Sequence, residues 1–239
     1  MTAMSPPRVM PPLLAFVAGA VDAVTFLALF GLFVAQVTGS FVTVGAQIVT
    51  HDPAVLIRIL AIPLFFIAGA AVVFVVETRE KSPATLALCL TIELALLTGL
   101  MVVGLLAAPF PDPNAPAALL AASLGLLAMG LQSAMVRLVL HGVASTNVMT
   151  TNTTQFAIDV AEWLIAAWRS RGPAATDAAR AARTHATLRV TTLGPIMAGF
   201  VTGCLCGAVA FVLVGFWCLL GVIAIIAGLI ACALRTSIN

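Results

Sequence analysis

Polar residues are scarce along this chain, and their positions divide it into helices. Apolar runs near 12–36, 54–76, 84–107, 117–140, 190–213 and 216–234 are each long enough to cross a bilayer core, for which about 20 helical residues suffice. Alternating strands of about ten residues are absent, so the pattern predicts helices and not a β-barrel. Pro11-Pro12 suits the first turn of the first helix, where a missing N–H costs little. Pro109-Phe110-Pro111-Asp112-Pro113 ends the third helix and makes a stiff central loop. The chain then reads as one membrane domain, 1–239, with a first half at 12–108 and a second at 114–235. Residues 152–170 carry Phe156, Val160, Trp163, Leu164 and Ala167 on one face, with Asp159 and Glu162 elsewhere. This predicts an amphipathic helix on the cytoplasmic surface, anchored by Trp163 and Trp168. The stretch from Pro173 to Arg189 is predicted to lead helically into the fifth span.

Composition makes the same point. The chain is 62% hydrophobic and 8% charged, whereas a soluble domain carries about 25% charged residues. Its mean hydropathy of +1.17 leaves too little polar surface for a water-soluble globule, so the class is an all-α polytopic membrane protein. No basic patch with interleaved aromatics points to nucleic acid. Cys89, Cys204, Cys206, Cys218 and Cys232 all lie in apolar runs and form no disulfide framework. His51, His141 and His185 are isolated, so neither a metal site nor a cofactor is expected. Arg8, Leu13–Val17 and Ala18-x-Ala20 mimic a signal peptide, but the apolar stretch runs on past Ala20 and reads as a retained first helix.

Charge gives an orientation. With the N-terminus in the cytoplasm, Arg8, Arg79, Lys81, Arg169, Arg171, Arg180, Arg183, Arg189 and Arg235 all fall inside. Only Arg58 falls in an outside loop, and Arg137 sits in the fourth helix, where it snorkels, pairs with Asp22 or attracts an anion. Six spans with both termini cytoplasmic follow. Three spans per half is odd, so a repeated half must be inserted upside down, giving an inverted 3+3 architecture. Pro63 and Pro195 are expected to interrupt the second and fifth helices, five residues after Arg58 and six after Arg189. Gly199, Gly203 and Gly207 form a ridge that lets another helix, of this chain or of a second copy, approach closely.

Internal similarity supports the repeat. Gly19–Gln47 and Gly130–Gln155 share one order: an apolar helix with a polar residue, a glycine break at Gly31 or Gly142, a Thr-rich turn, and a new helix. Offset by 111 positions, Gly19 meets Gly130, Ala23 meets Ala134, and Asp22 meets Ser133, beside Gln132. The first and fourth helices are therefore expected to be interrupted. Thr38 or Ser40 is expected to cap a helix from Phe41, and Thr151 or Asn152 one from Thr153. Two such N-termini can face one polar or anionic solute, or simply cap helices at the two water interfaces.

Asp22 and Glu93 lie near the bilayer middle, where a charge costs at least about 2.5–3.5 kcal/mol. Each must be paired, hydrated or protonated. One reading makes them carriers of a coupling proton or cation, and the other makes each a hydrogen-bonded tie between helices. Gln132 serves equally as glue or as a solute contact. The candidate solute-binding residues are Asp22, Thr38, Gly39, Ser40, Gln132, Thr150, Thr151 and Asn152, with Arg137 as an anion partner.

Asp22, Phe26, Gly31 and Thr38-Gly39-Ser40, with Met129-Gly130-Leu131-Gln132-Ser133-Ala134 and Met149-Thr150-Thr151-Asn152, resemble the YoaK family, also called DUF1275. The resemblance spans roughly 12–234. Members of that family tend to carry Met-Thr-Gly-Asn at both turns and Gln-Asn in the fourth helix. This chain has Val37-Thr38-Gly39-Ser40, Met149-Thr150-Thr151-Asn152 and Gln132-Ser133 instead. The resemblance implies a six-helix protein of the bacterial inner membrane and no established activity. The expected function is a secondary transporter or facilitator of a small polar solute, with an anionic solute and proton coupling as open options. The alternatives are an oligomeric scaffold or regulator built on the glycine ridge and, with least support, an intramembrane enzyme.

Overall fold

The computed structural model describes residues 8–79, 81–140, 143–170 and 177–236. Every regular element among them is helical. In order they are α1 (Met10–Ala28), α2 (Val37–Thr50), α3 (Val55–Ile59), α4 (Ala61–Thr78), α5 (Pro83–Ala107), α6 (Pro116–Leu138), α7 (Met149–Arg169), α8 (Asp177–Val214), a 3-10 turn (Gly215–Cys218) and α9 (Leu219–Thr236). Five stretches are long and apolar enough to cross a bilayer: Met10–Ala28, Val55–Thr78, Pro83–Ala107, Pro116–Leu138 and Arg180–Arg235. The last is 56 residues long and contains most of α8, the 3-10 turn and α9. The chain is a membrane-type helical protein.

Local chemistry sets several boundaries. The Ser82 hydroxyl accepts the Thr85 N–H at 3.2 Å and Pro83 follows at the first helical position, so α5 starts one residue from its predicted place. Pro63 does not break its helix where it stands. The break falls at Leu60, between α3 and α4, which is where a proline ring conflicts with the carbonyl four residues back, that of Ile59. Pro195 lies inside α8, which runs on through it. The helical lead into the fifth span is present from Asp177 onward.

The contacts cross between the halves. α1 packs on α8 and α4 packs on α6, while α5 packs on both α6 and α9. In the α1–α8 pair, Gly199 faces the Pro12 carbonyl, Gly203 that of Phe16 and Gly207 that of Ala20. Residue numbers rise together, so the two helices run parallel. A side chain at any of these glycines would fall on α1 backbone. The glycine ridge expected to serve either this chain or a second copy is thus filled by α1, and that face is closed to a homo-oligomer.

Candidate functional site

α1 stops at Ala28. Phe30 (φ 56) and Gly31 (φ 76) take the left-handed conformation, and the Gly31 N–H reaches back to the Phe26 carbonyl at 3.0 Å, closing the helix end. The chain stays unwound until Gln36. A left-handed phenylalanine is costly. It is held by Arg58, whose guanidinium donates to the Phe30 carbonyl and, at 3.4 Å, to that of Ala54. Arg58 is buried in α3, not set in an exposed outside loop as its sequence position suggests. Beside it, Asp52 has its carboxyl held below the usual carboxylate range by the Ala54 N–H, then by Gln47 and Arg58.

The unwound segment is tied to α1 by Asp22. Its Oδ1 accepts the N–H groups of Val34 at 2.8 Å and Ala35 at 2.6 Å, and its Oδ2 accepts Gln36 Nε2 at 3.2 Å. Val34 also lies against Gly125 of α6, where a Cβ would approach it to 3.1 Å. α2 then starts at Val37, with no side-chain cap. Thr38 and Ser40 stand inside its first turns, so neither caps a helix from Phe41. The far-off Asp22 carboxylate, not a local hydroxyl, secures the unwound backbone ahead of that turn.

Around the second unwound segment the tying groups are neutral. α6 ends at Leu138, and Gly142, the expected break, lies outside the described residues. Residues 143–148 are unwound and α7 starts at Met149, again without a side-chain cap. Thr151 and Asn152 are therefore inside α7 and do not cap a helix from Thr153. Instead Asn152 Nδ2 donates back to the Ser145 carbonyl at 2.6 Å. Asn147 Nδ2 donates to Ser133 Oγ at 2.6 Å, and Gln132 Nε2 donates to Thr146 Oγ1 at 3.1 Å and to the Leu14 carbonyl at 3.0 Å. Gln132 thus joins α1 to the second unwound segment.

The two unwound segments meet at one cavity of about 230 Å³. Ala35, Gln36 and Thr38 line it from the first half, and Ser145, Asn147 and Thr150 from the second. Ser133 and Arg137 of α6 and Phe65 of α4 complete the polar and aromatic wall. Both salt bridges among the described residues belong to Arg189, so Arg137 has no carboxylate of its own. No acidic residue lines the cavity. The N-termini of α2 and α7 and one guanidinium border it, and the Asp22 carboxyl lies directly behind Ala35 and Gln36.

Of the residues expected to contact solute, Thr38 and Thr150 line the cavity, and Gly39, Ser40, Thr151 and Asn152 do not. Asp22 and Gln132 stand behind its wall, 2% and 0% exposed. Glu93 is elsewhere, wholly buried in α5, with neither carboxyl oxygen hydrogen-bonded. The sequence reading missed Arg58, Gln36, Ser145, Thr146 and Asn147. The last two were detectable: offset by 112 positions, they stand where Val34 and Ala35 do in the first half.

No group of three or more potential metal ligands occurs among the described residues. Neither a curated protein nor a solved structure matches the chain. One family model, described as a protein of unknown function (DUF1275), matches residues 12–232, and the chain therefore belongs to the DUF1275 family.

Proposed function

We propose that this protein is a secondary transporter or facilitator for a small anionic solute in the bacterial inner membrane. It is built from two inverted three-span halves with both termini cytoplasmic. The observation that carries this reading is the single cavity bordered by both unwound segments, both following helix N-termini and the unpaired Arg137. Paired broken helices meeting at a polar centre suit alternating access, in which each half moves against the other around a fixed site. The cross-packing also supports the repeat: the first helix of each half, α1 or α6, lies on the second helix of the other, α8 or α4.

A coupling proton fits two places. Asp22 can release the unwound segment only by giving up three hydrogen bonds. Glu93 is buried with neither carboxyl oxygen hydrogen-bonded, a setting in which a bare charge is costly. Solute binding at the cavity needs neither to touch the ligand. In this reading Asp22 and Glu93 serve coupling, and Arg137, Thr38, Thr150 and the two helix N-termini serve recognition.

Metabolite pools in cells lacking and overproducing the protein test the reading. An anionic pool should shift in opposite directions in the two strains. Arg137→Gln should abolish the overproduction effect while leaving thermal stability unchanged, since Arg137 is exposed and makes no ion pair. Pools that stay constant, or a glutamine variant as active as the parent, would overturn it.

A further inference from the structure

The helical hairpin of α7 and α8 carries a surface that transport does not use. The two helices run antiparallel. Trp163 Nε1 donates to Thr187 Oγ1 at 3.1 Å, Arg189 bridges Asp159 at 2.9 Å and also Glu162, and Phe156 lies against Gly194. Asn152, Asp159 and Ala166 of α7 are buried on the side toward α8. The opposite side should be polar if it met only water. It carries Ile158, Ala161, Leu164, Ile165 and Trp168 at helical spacing, all exposed, with Trp168 at 74%.

Beside this stripe runs a groove between the end of α7 and α8. It is lined by Ser170, Arg180, Arg183, Thr184 and Thr187, and no acidic residue borders it. The acids of the hairpin nearest the membrane, Asp159 and Glu162, are already taken by Arg189. Arg180 and Arg183 carry no ion pair among the described residues. α8 continues unbroken from the groove into the span. Arg183 stands ten residues, about 15 Å of helix, from the buried Leu193. A guanidinium on its flexible stem covers part of that height and lipid headgroups the rest.

We propose that this hairpin is a docking surface for anionic phospholipid headgroups, with the phosphate on Arg180 and Arg183 and the apolar stripe of α7 sunk into the interface. Exposed apolar and basic residues together fit a negatively charged leaflet. A water-filled flank would need neither the tryptophan nor the unpaired arginines. α7 also links this surface to the candidate cavity. It begins at Met149 and Thr150 on the cavity wall and ends at Arg169 beside the groove, 21 residues in one helix. The inference rests on the membrane placement of α8 but not on transport.

Native mass spectrometry of the full chain, released from micelles holding equal phosphatidylglycerol and phosphatidylethanolamine, tests it. The parent protein should retain phosphatidylglycerol preferentially. Each arginine near an anionic surface contributes about fivefold, so Arg180→Gln with Arg183→Gln should cut the preference more than tenfold. Trp168→Ala should weaken retention of both lipids alike. Equal retention of the two lipids by the parent, or a preference that survives the double substitution, overturns the proposal. So does displacement of the lipid by inorganic phosphate, which would mark a soluble-anion site. A doubled mass lost on Trp168→Ala would give the stripe to a second copy and overturn it too. None of these readings depends on solute movement, so a failure here leaves the transport reading standing, and the converse holds.

Discussion

Asp22 is the one charged side chain in α1, and its partners explain why an acid is tolerated there. Two backbone N–H groups and an amide converge on it from a segment that cannot satisfy them helically. The equivalent position, Ser133, carries no charge because the second segment brings its own side chains, Thr146 and Asn147. Removing the carboxylate with Asp22→Ala should leave the Val34 and Ala35 N–H groups buried and unpaired, at about 1–3 kcal/mol each. Asp22→Asn keeps one acceptor oxygen, and Gln36 can turn its amide to meet the new NH2, so its cost should be about 1 kcal/mol. Thermal unfolding followed by circular dichroism in detergent separates the two. Equal losses for alanine and asparagine would show that the hydrogen bonds to Val34 and Ala35 do not secure the segment. If Asp22 also carries a coupling proton, the asparagine variant should bind solute yet fail to accumulate it against a gradient.

Between elements, the α1–α8 seam sets backbone against backbone. Gly199→Ala or Gly203→Ala would place a methyl on the Pro12 or Phe16 carbonyl, and overpacking of this kind costs about 1–3 kcal/mol. Gly221→Ala in α9 meets nothing within 4 Å and should stabilise by about 0.5–1 kcal/mol through helix propensity. A melting temperature that falls for the first two variants and holds or rises for the third is the expected pattern, and a uniform response would mean the seam is not tight. What could be read from sequence follows the range of each interaction. α5 was legible at both ends because Ser82-Pro83 and the prolines after Ala107 act locally. The starts of α2 and α7 were misplaced by several residues because no local cap sets them, and the unwound chain ahead is held by residues 12 to 14 positions away. Arg58 was misread for the same reason: its partner, the Phe30 carbonyl, lies 28 residues earlier and is a backbone atom that no side-chain pattern reveals. The glycine ridge was legible as a contact, but its partner was not, since spacing shows closeness and not which helix approaches.

At the scale of the whole molecule, the parallel run of α1 and α8 restricts topology more than charge does. Parallel neighbours enter from the same face, so the start of α1 and the α7–α8 hairpin lie on one side. On the opposite face, Asn114 Nδ2 donates to the Pro53 carbonyl at 3.1 Å, joining the loop after α5 to the loop before α3. In the proposed six-span topology each half makes an odd number of crossings, which is the condition for an inverted repeat. Thiol labelling tests the condition directly in a background without the five native cysteines. Thr50→Cys and Asp112→Cys should react with a membrane-impermeant maleimide in intact cells. Thr78→Cys and Ala178→Cys should react only after permeabilisation, because α4 and the paired α5–α6 segments separate them from the first two. Reaction of Thr78→Cys in intact cells would remove the crossing by α4, and reaction of Ala178→Cys would turn the hairpin outward. Either result breaks the antisymmetry proposed for the halves, and with it the proposal that the two helix N-termini approach one cavity from opposite sides of the membrane.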